Sequence, residues 1–183
     1  MNDCPLVWIV MGVSGSGKTV VGRLLSEQLE CDFLEGDRRH PPSNIIKMIS
    51  QNPLQDEDRR QWLLEIEDDI RRAVGHNRET VMTCSALKAS YRKQLTSSNR
   101  VQLVWLNVPK PELEQRLAKR SNHYMKSEML HSQIAAFEQI SPEENVITMD
   151  GLLPPIEIVN ELLSQVTRLF PSMNKEWWQR CVT

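Results

Sequence analysis

The sequence predicts an α/β protein with a mostly parallel sheet and helices on both faces. Three observations carry that prediction. Apolar stretches of strand length recur five times along the chain. Patterns of helical period separate several of them. Every chemistry-bearing motif falls just after a predicted strand, or on a helix able to fold over the same sheet edge, where ligands of such sheets bind.

The elements follow in order. "LVWIV" (residues 6–10) is a short apolar run rich in β-branched and aromatic residues, and "DFLEG" (32–36) is a weaker strand signal. "TVMTC" (80–84) and "VQLVWLNV" (101–108) are stronger, and "NVITM" (145–149) closes the series. Val20, Val21, Leu24, Leu25 and Leu29 line one face of the first helical pattern. Trp62, Leu63, Ile66, Ile70 and Val74 line another, behind an acidic first turn "DED" that suits a helix N-terminus. Ile156, Val159, Leu162, Leu163 and Val166 mark a last long helix. Residues 38–75 and about 110–140 exceed what a minimal sheet needs. After Phe170 the Pro171 break leads into "SMNKEWWQRCVT", a helix-capable tail (171–183) that either packs back on the core or makes a subunit contact.

With 183 residues the chain has the length of one domain, here 1–170 plus the tail. Apolar residues at 40% and charged residues at 25% are ordinary for a globular protein. A net charge of −2 gives no reason to expect a nucleic-acid partner. The longest apolar run, "PLVWIVMGV", is far short of a bilayer span. "MND" lacks the basic charge of a secretory leader. The four cysteines show no metal-ligand or CxxC spacing and read as reduced thiols of a cytoplasmic protein.

"MGVSGSGKTVVG" supplies the first chemistry. Residues Gly12, Ser14, Gly15, Ser16, Gly17, Lys18 and Thr19 lie in a G-x-x-x-x-G-K-[ST] pattern between a strand and a helix. Glycines let successive N–H groups turn inward around phosphate oxygens. The helix that follows adds its positive end, Lys18 adds a mobile charge, and the Thr19 hydroxyl can bind Mg²⁺. The loop implies a nucleoside triphosphate. A GTPase needs an N-K-x-D reader, and "NKEW" at Asn174 has the wrong fourth residue. A mechanical ATPase usually has a strand ending in an acid, and "VQLVWLNV" ends without one. A small-molecule kinase remains, and it needs a second pocket facing the γ-phosphate.

"FLEGDRRHPPSN" offers one wall of that pocket. Asp37 can orient an attacking hydroxyl, and Glu35 can hold a water of the Mg²⁺ shell; an acid at a strand end also serves as a turn former. His40 before two prolines has either a hydrogen-bonding or a surface role, and Ser43 reads as an N-cap. Arg59 can clamp a carboxylate or pair with Asp56 or Asp58 on its own helix. In "CSALKASYR" Ser85 reads as an N-cap, with Lys88 and Arg92 one turn apart on the same side. "RLAKRSNHY" places Arg116 and Arg120 one turn apart on a basic segment, either a solvated face or a flap closing over phosphates and excluding water.

"MGVSGSGKT", "GDxxHPxxNIxKM", "PLxDxDRxxWL", "CSALKxxYR" and "HYMxxxMLxSQ", in this order and spacing, resemble the gluconokinase family over most of residues 7–150. The resemblance implies transfer of phosphate from ATP to the 6-hydroxyl of D-gluconate. It implies a three-layer P-loop kinase fold with a five-stranded parallel sheet, a substrate-binding subdomain (about 38–75) and a lid (about 116–140), akin to shikimate and nucleoside monophosphate kinases. Asp37 is then the residue orienting the hydroxyl and Arg59 the substrate-binding arginine. His40, Lys88, Arg92, His123 and Gln133 line the gluconate pocket, and Arg120 joins Lys18 at the ATP phosphates. A homodimer is a weaker implication. Gln61, Asn122 and "FEQI" (137–140) depart from the family pattern, which usually has Pro, Gly and "LExP" there.

Overall fold

The computed structural model describes residues 5–119 and 127–174. Five strands, β1 (Val7–Met11), β2 (Asp32–Glu35), β3 (Thr80–Cys84), β4 (Val101–Asn107) and β5 (Val146–Asp150), form one sheet in the order β2-β3-β1-β4-β5. Every pairing is parallel. Val7 pairs with Thr80 on one side and with Val101 on the other, so β1 is the central strand. The phosphate loop therefore leaves the sheet at its middle, beyond the carboxyl ends of the strands.

Alternation along β1 divides the core. Val7, Ile9 and Met11 face a layer built on α3 (Asp56–Gly75) and α4 (Ala89–Leu95), together with Trp62, Ile66, Ile70 and Leu95. Trp8 and Val10 face α1 (Lys18–Leu29) and α7 (Pro155–Leu169), against Leu25, Leu29, Val159 and Leu162. Strands buried on both faces are largely apolar, as β1 is throughout, and as β3 and the buried positions of β4 are apart from Thr80, Thr83 and Gln102. A smaller cluster of Leu113, Leu117 and Leu130 joins α5 (Lys110–Ala118) and α6 (Ser127–Ala136) beside the phosphate loop.

The helical faces differ from the expected ones at their ends. Val20 (49% exposed) and Ile156 (45% exposed) lie outside the core; Ser26 and Ile158 are buried instead. Ser43 does not cap its helix. α2 (Pro42–Ile49) begins at Pro42 with Pro41 as N-cap, because proline's fixed φ and missing N–H suit the first helical position. Ser85 is not an N-cap either, since Lys88 occupies that position of α4. The start of the tail packs back: Met173, in a 3₁₀ turn (Pro171–Asn174), joins the α1–α7 layer. Arg120, Asn122, His123, Trp177 and Trp178 lie outside the described residues.

Candidate active site

The cradle spans the step from β1 to α1. Gly17 is the N-cap of α1 at φ +97°, and no side chain caps the helix, so its first N–H groups remain directed into the loop. Gly15 has φ +87°, and an ideal Cβ there would press on Leu117 at 3.3 Å; α5 packs down on the loop only because the position is bare. Lys18 Nζ donates to the Val13 carbonyl at 3.0 Å, spanning the loop. The Ser16 hydroxyl is buried and has no hydrogen-bond partner among the described residues. A buried hydroxyl without a partner costs about 1–3 kcal/mol, and a phosphate oxygen in the loop would satisfy it. The cradle thus fits a polyphosphate.

Thr19 Oγ1 donates to Glu35 Oε1 at 2.8 Å, which joins the start of α1 to the end of β2. Both are hard oxygen ligands of the kind Mg²⁺ prefers. Among the described residues no cluster of three or more His, Cys, Asp or Glu could hold a metal.

A second wall faces the cradle. After Glu35 the chain enters a 3₁₀ turn (Gly36–Arg39). An ideal Cβ at Gly36 would overlap the Thr83 carbonyl, so glycine alone lets this turn sit against the end of β3. Trp62 of α3 clamps the turn from below, its Nε1 donating to the Gly36 carbonyl at 2.8 Å. The next residue, Asp37, lines the cleft with Lys18, Thr19 and Glu35. His40 lies flat on Trp62, with ring centroids 4.4 Å apart and an interplanar angle of 11°. Burial of the ring lowers its pKa to about 4; Asp37 opposes that shift and Arg59 reinforces it.

Arg59 lines the cleft and lies 3.8 Å from Asp56 Oδ1 on its own helix. Asp56 anchors a small network, accepting from Lys88 at 2.6 and 2.8 Å and from Tyr91 Oη at 2.5 Å. Lys88 first, then Tyr91, hold its carboxyl below the usual range. Burial and the Asp56 bond push the Tyr91 phenol up to about 12. Cys84, at the end of β3, is buried in the core, and burial raises its thiol to about 12, as for a packing cysteine.

Gln133 of α6 reaches the cradle, its Oε1 accepting from the Ser14 N–H at 2.6 Å, and with Ser132 it closes the cleft opposite α3. Arg116 stands on α5, donating to Glu112 at 2.8 Å and to the Gly151 carbonyl at 2.8 Å. Two expected substrate residues are placed elsewhere. Lys88 turns to Asp56 and does not line the cleft. Arg92 is 1% exposed and points into the protein, paired with Glu144 at 2.5 Å and donating to the Leu87 carbonyl at 3.0 Å. Lys88 and Arg92 do not share a side because Lys88 precedes the helix, with extended backbone at φ −97° and ψ 146°.

Ser85, read from the sequence as a helix cap, and Ala86, assigned nothing there, both stand at this edge. Ser85 lines the cleft. Ala86, at φ +44°, holds the β3–α4 loop in a left-handed turn that costs a non-glycine residue about 1 kcal/mol or more, and Arg92 donates to its carbonyl at 3.4 Å. No local residue type marks these positions, since alanine rarely takes a left-handed conformation and a serine before a helix reads as a cap.

Comparison with known proteins places this geometry in a family. Residues 7–140 match a family model described as an AAA domain. A gluconokinase of Gluconobacter oxydans is 41% identical over 160 residues, covering 87% of this chain and 90% of that one. The chain belongs to the gluconokinase family. The thermoresistant gluconokinase of Escherichia coli is 35% identical over 82% of this chain and 87% of its own length. The crystal structure of a gluconokinase from Sinorhizobium meliloti superposes with a TM-score of 0.82 at 37% identity, covering 93% and 96% of the two chains. A shikimate kinase from Aquifex aeolicus, at TM-score 0.64 and 20% identity over 90% of this chain and 98% of its own, shares the fold. The chain is thus a kinase on the three-layer P-loop plan expected of it.

Proposed function

We propose that the chain transfers the γ-phosphoryl group of ATP to the 6-hydroxyl of D-gluconate, giving 6-phosphogluconate and ADP. The observation that carries this reading is the single cleft in which a phosphate cradle (Gly15, Gly17, Lys18, Thr19) faces Asp37, His40 and Arg59. Kinship with the gluconokinases named above supports the acceptor.

The roles follow from the chemistry of each group. Lys18 and the loop amides hold the β- and γ-phosphates and stabilise the charge spread over the transferring group. Asp37 orients the 6-hydroxyl and takes its proton as the new oxygen–phosphorus bond forms and the bond from the γ-phosphorus to the bridging oxygen breaks. Arg59 holds the carboxylate of the acceptor. His40 and Gln133 contact acceptor hydroxyls, while Arg116 and Arg120 serve the nucleotide side. Thr19 and Glu35 would hold Mg²⁺, which, when bound, neutralises phosphate charge.

The test is ADP release coupled to a panel of acceptors: gluconate, shikimate and ketogluconates. Gluconate-dependent release far above the other acceptors is expected. Equal stimulation by shikimate, or none by gluconate, overturns the assignment.

A further inference from the structure

Asn44 lies on α2, is 2% exposed, and belongs to no part of the site considered so far. Its Nδ2 sits 2.7 Å from the carbonyl oxygen of Asp58. A backbone carbonyl only accepts, so the atom facing it is the amide nitrogen, which settles the orientation of the carboxamide. The same nitrogen is 3.3 Å from His40 Nδ1. A nitrogen already donating to Asp58 has only N–H to offer there, so Nδ1 must present its lone pair. Protonating Nδ1 would set two N–H groups against each other. The imidazole proton therefore resides on Nε2, the ring nitrogen left to the cleft that His40 lines.

We propose that Asn44 is a positioning residue that fixes His40 as a neutral imidazole protonated on Nε2, a standing hydrogen-bond donor to an oxygen of the acceptor sugar acid. In this arrangement His40 is not a base, and proton acceptance is left to Asp37. The partner it recognises is a lone pair, on a hydroxyl or carboxylate oxygen, so an acceptor lacking oxygen at that position is discriminated against. The identity of the acceptor rests on the function proposed above; the tautomer does not.

The surroundings of the ring agree. Asp37 on the 3₁₀ turn favours a charged ring, while Arg59 on α3 disfavours it. Lys18 and Glu35 face it across the cleft. Asp58 on α3 is occupied by Lys47 of α2 at 2.6 Å and by the Gln55 N–H at 2.9 Å, so it has no carboxylate oxygen turned to the imidazole. Trp62, fixed through Gly36, covers the ring face.

The experiment is long-range ¹H–¹⁵N NMR of the full chain labelled with ¹⁵N-histidine, with His40 assigned by its loss in His40→Gln. The wild-type protein is expected to show a bare Nδ1 and a protonated Nε2, with no titration between about pH 5 and 8, where an ordinary imidazole titrates. Asn44→Asp places an acceptor against Nδ1; the ring then gains a second proton, and kcat/KM for gluconate acquires a titration step near neutral pH that the wild type lacks. His40→Leu is expected to raise the gluconate KM about tenfold, as for loss of one hydrogen bond to substrate. A protonated Nδ1 in the wild type, a His40 titration between those pH values, or a folded Asn44→Asp with an unchanged His40 spectrum overturns the proposal. The wild-type spectrum needs neither a variant nor a substrate. A failure of the gluconate assignment, with the tautomer intact, is therefore distinguishable from a failure of this inference.

Discussion

Exchanging Glu144 for glutamine tests whether Arg92 braces the fold or serves the substrate. The guanidinium donates to both Glu144 oxygens at 2.5 and 2.9 Å, to the Leu87 carbonyl at 3.0 Å and to the Gln139 carbonyl at 3.3 Å. Glutamine keeps the shape and one acceptor but withdraws the countercharge, leaving a cation inside the protein. Removing one partner of a buried pair costs about 3–5 kcal/mol. Glu144 is itself 21% exposed, so water partly replaces it and the lower end, about 3 kcal/mol, applies. At about 2–4 °C per kcal/mol for a chain of this size, Tm is expected to fall by about 6–12 °C.

Thermal unfolding by circular dichroism reads the Tm, and ADP-release kinetics on the same preparation reads the gluconate KM. That KM is expected to hold within about threefold, less than the loss of one charge-assisted hydrogen bond to substrate. The pH dependence has a definite sign. Arg92 first, then the Ser141 N–H, hold the Glu144 carboxyl below its usual range. A depressed folded pKa contributes stability above the unfolded value of about 4.3, and that contribution is lost as pH falls through the folded value. The Tm gap between the two proteins therefore narrows on acidification. A Tm within about 2 °C of wild type at neutral pH, less than one kcal/mol, refutes the brace. So does a large rise in gluconate KM at unchanged Tm, which returns Arg92 to the substrate wall.

Other expectations are sharper in direction than in size. Lys18→Ala is expected to lower kcat about 10²–10³-fold, as for loss of one charge-stabilising group, read by gluconate-dependent ADP release. Asp37→Asn leaves ATP affinity near wild type by calorimetry while transfer falls about 10²–10⁴-fold; full activity would remove Asp37 from its role. Gly36→Ala drives a methyl into the Thr83 carbonyl and is expected to cost about 3 kcal/mol in urea unfolding, at the upper end for overpacking, because backbone cannot turn aside as a side chain can.

The strands were legible because burial on both faces favours apolar and β-branched residues, so β1, β3 and β4 stand out even with Thr80, Thr83 and Gln102 buried among them. The cradle was legible because its function depends on local spacing. Helix ends were less so. Val20 and Ile156 continue the apolar period of α1 and α7, yet sit in first turns where each is about half exposed. The four-residue spacing of Lys88 and Arg92 suggested one shared face, but spacing predicts faces only inside a helix, and Lys88 lies before it. The partner of Arg92 is 52 residues away, and no local pattern encodes such a pairing. The tautomer of His40 likewise depends on Asp58, brought near by the packing of α3 on α2.

The two walls of the cleft are attached to the protein in different ways, and this bears on how the acceptor is chosen. The cradle grows from the central strand and is held by Leu117 of α5 and Gln133 of α6. The acceptor wall hangs from the end of the edge strand β2, through Gly36 and Trp62, and is completed by contacts within the α2–α3 excursion: Asn44 with Asp58, Lys47 with Asp58, His40 with Trp62. Changes inside that excursion can reshape the acceptor wall without disturbing the sheet or the phosphate loop. A shikimate kinase superposing at TM-score 0.64 with 20% identity shows that the fold persists where most side chains differ. The fold alone therefore does not choose the acceptor, which must be argued from the residues of the excursion. Arg39 adds a third tether, donating to Asp69 at 2.6 and 3.1 Å: it ties the turn that bears Asp37 to the body of α3, the helix that also bears Arg59.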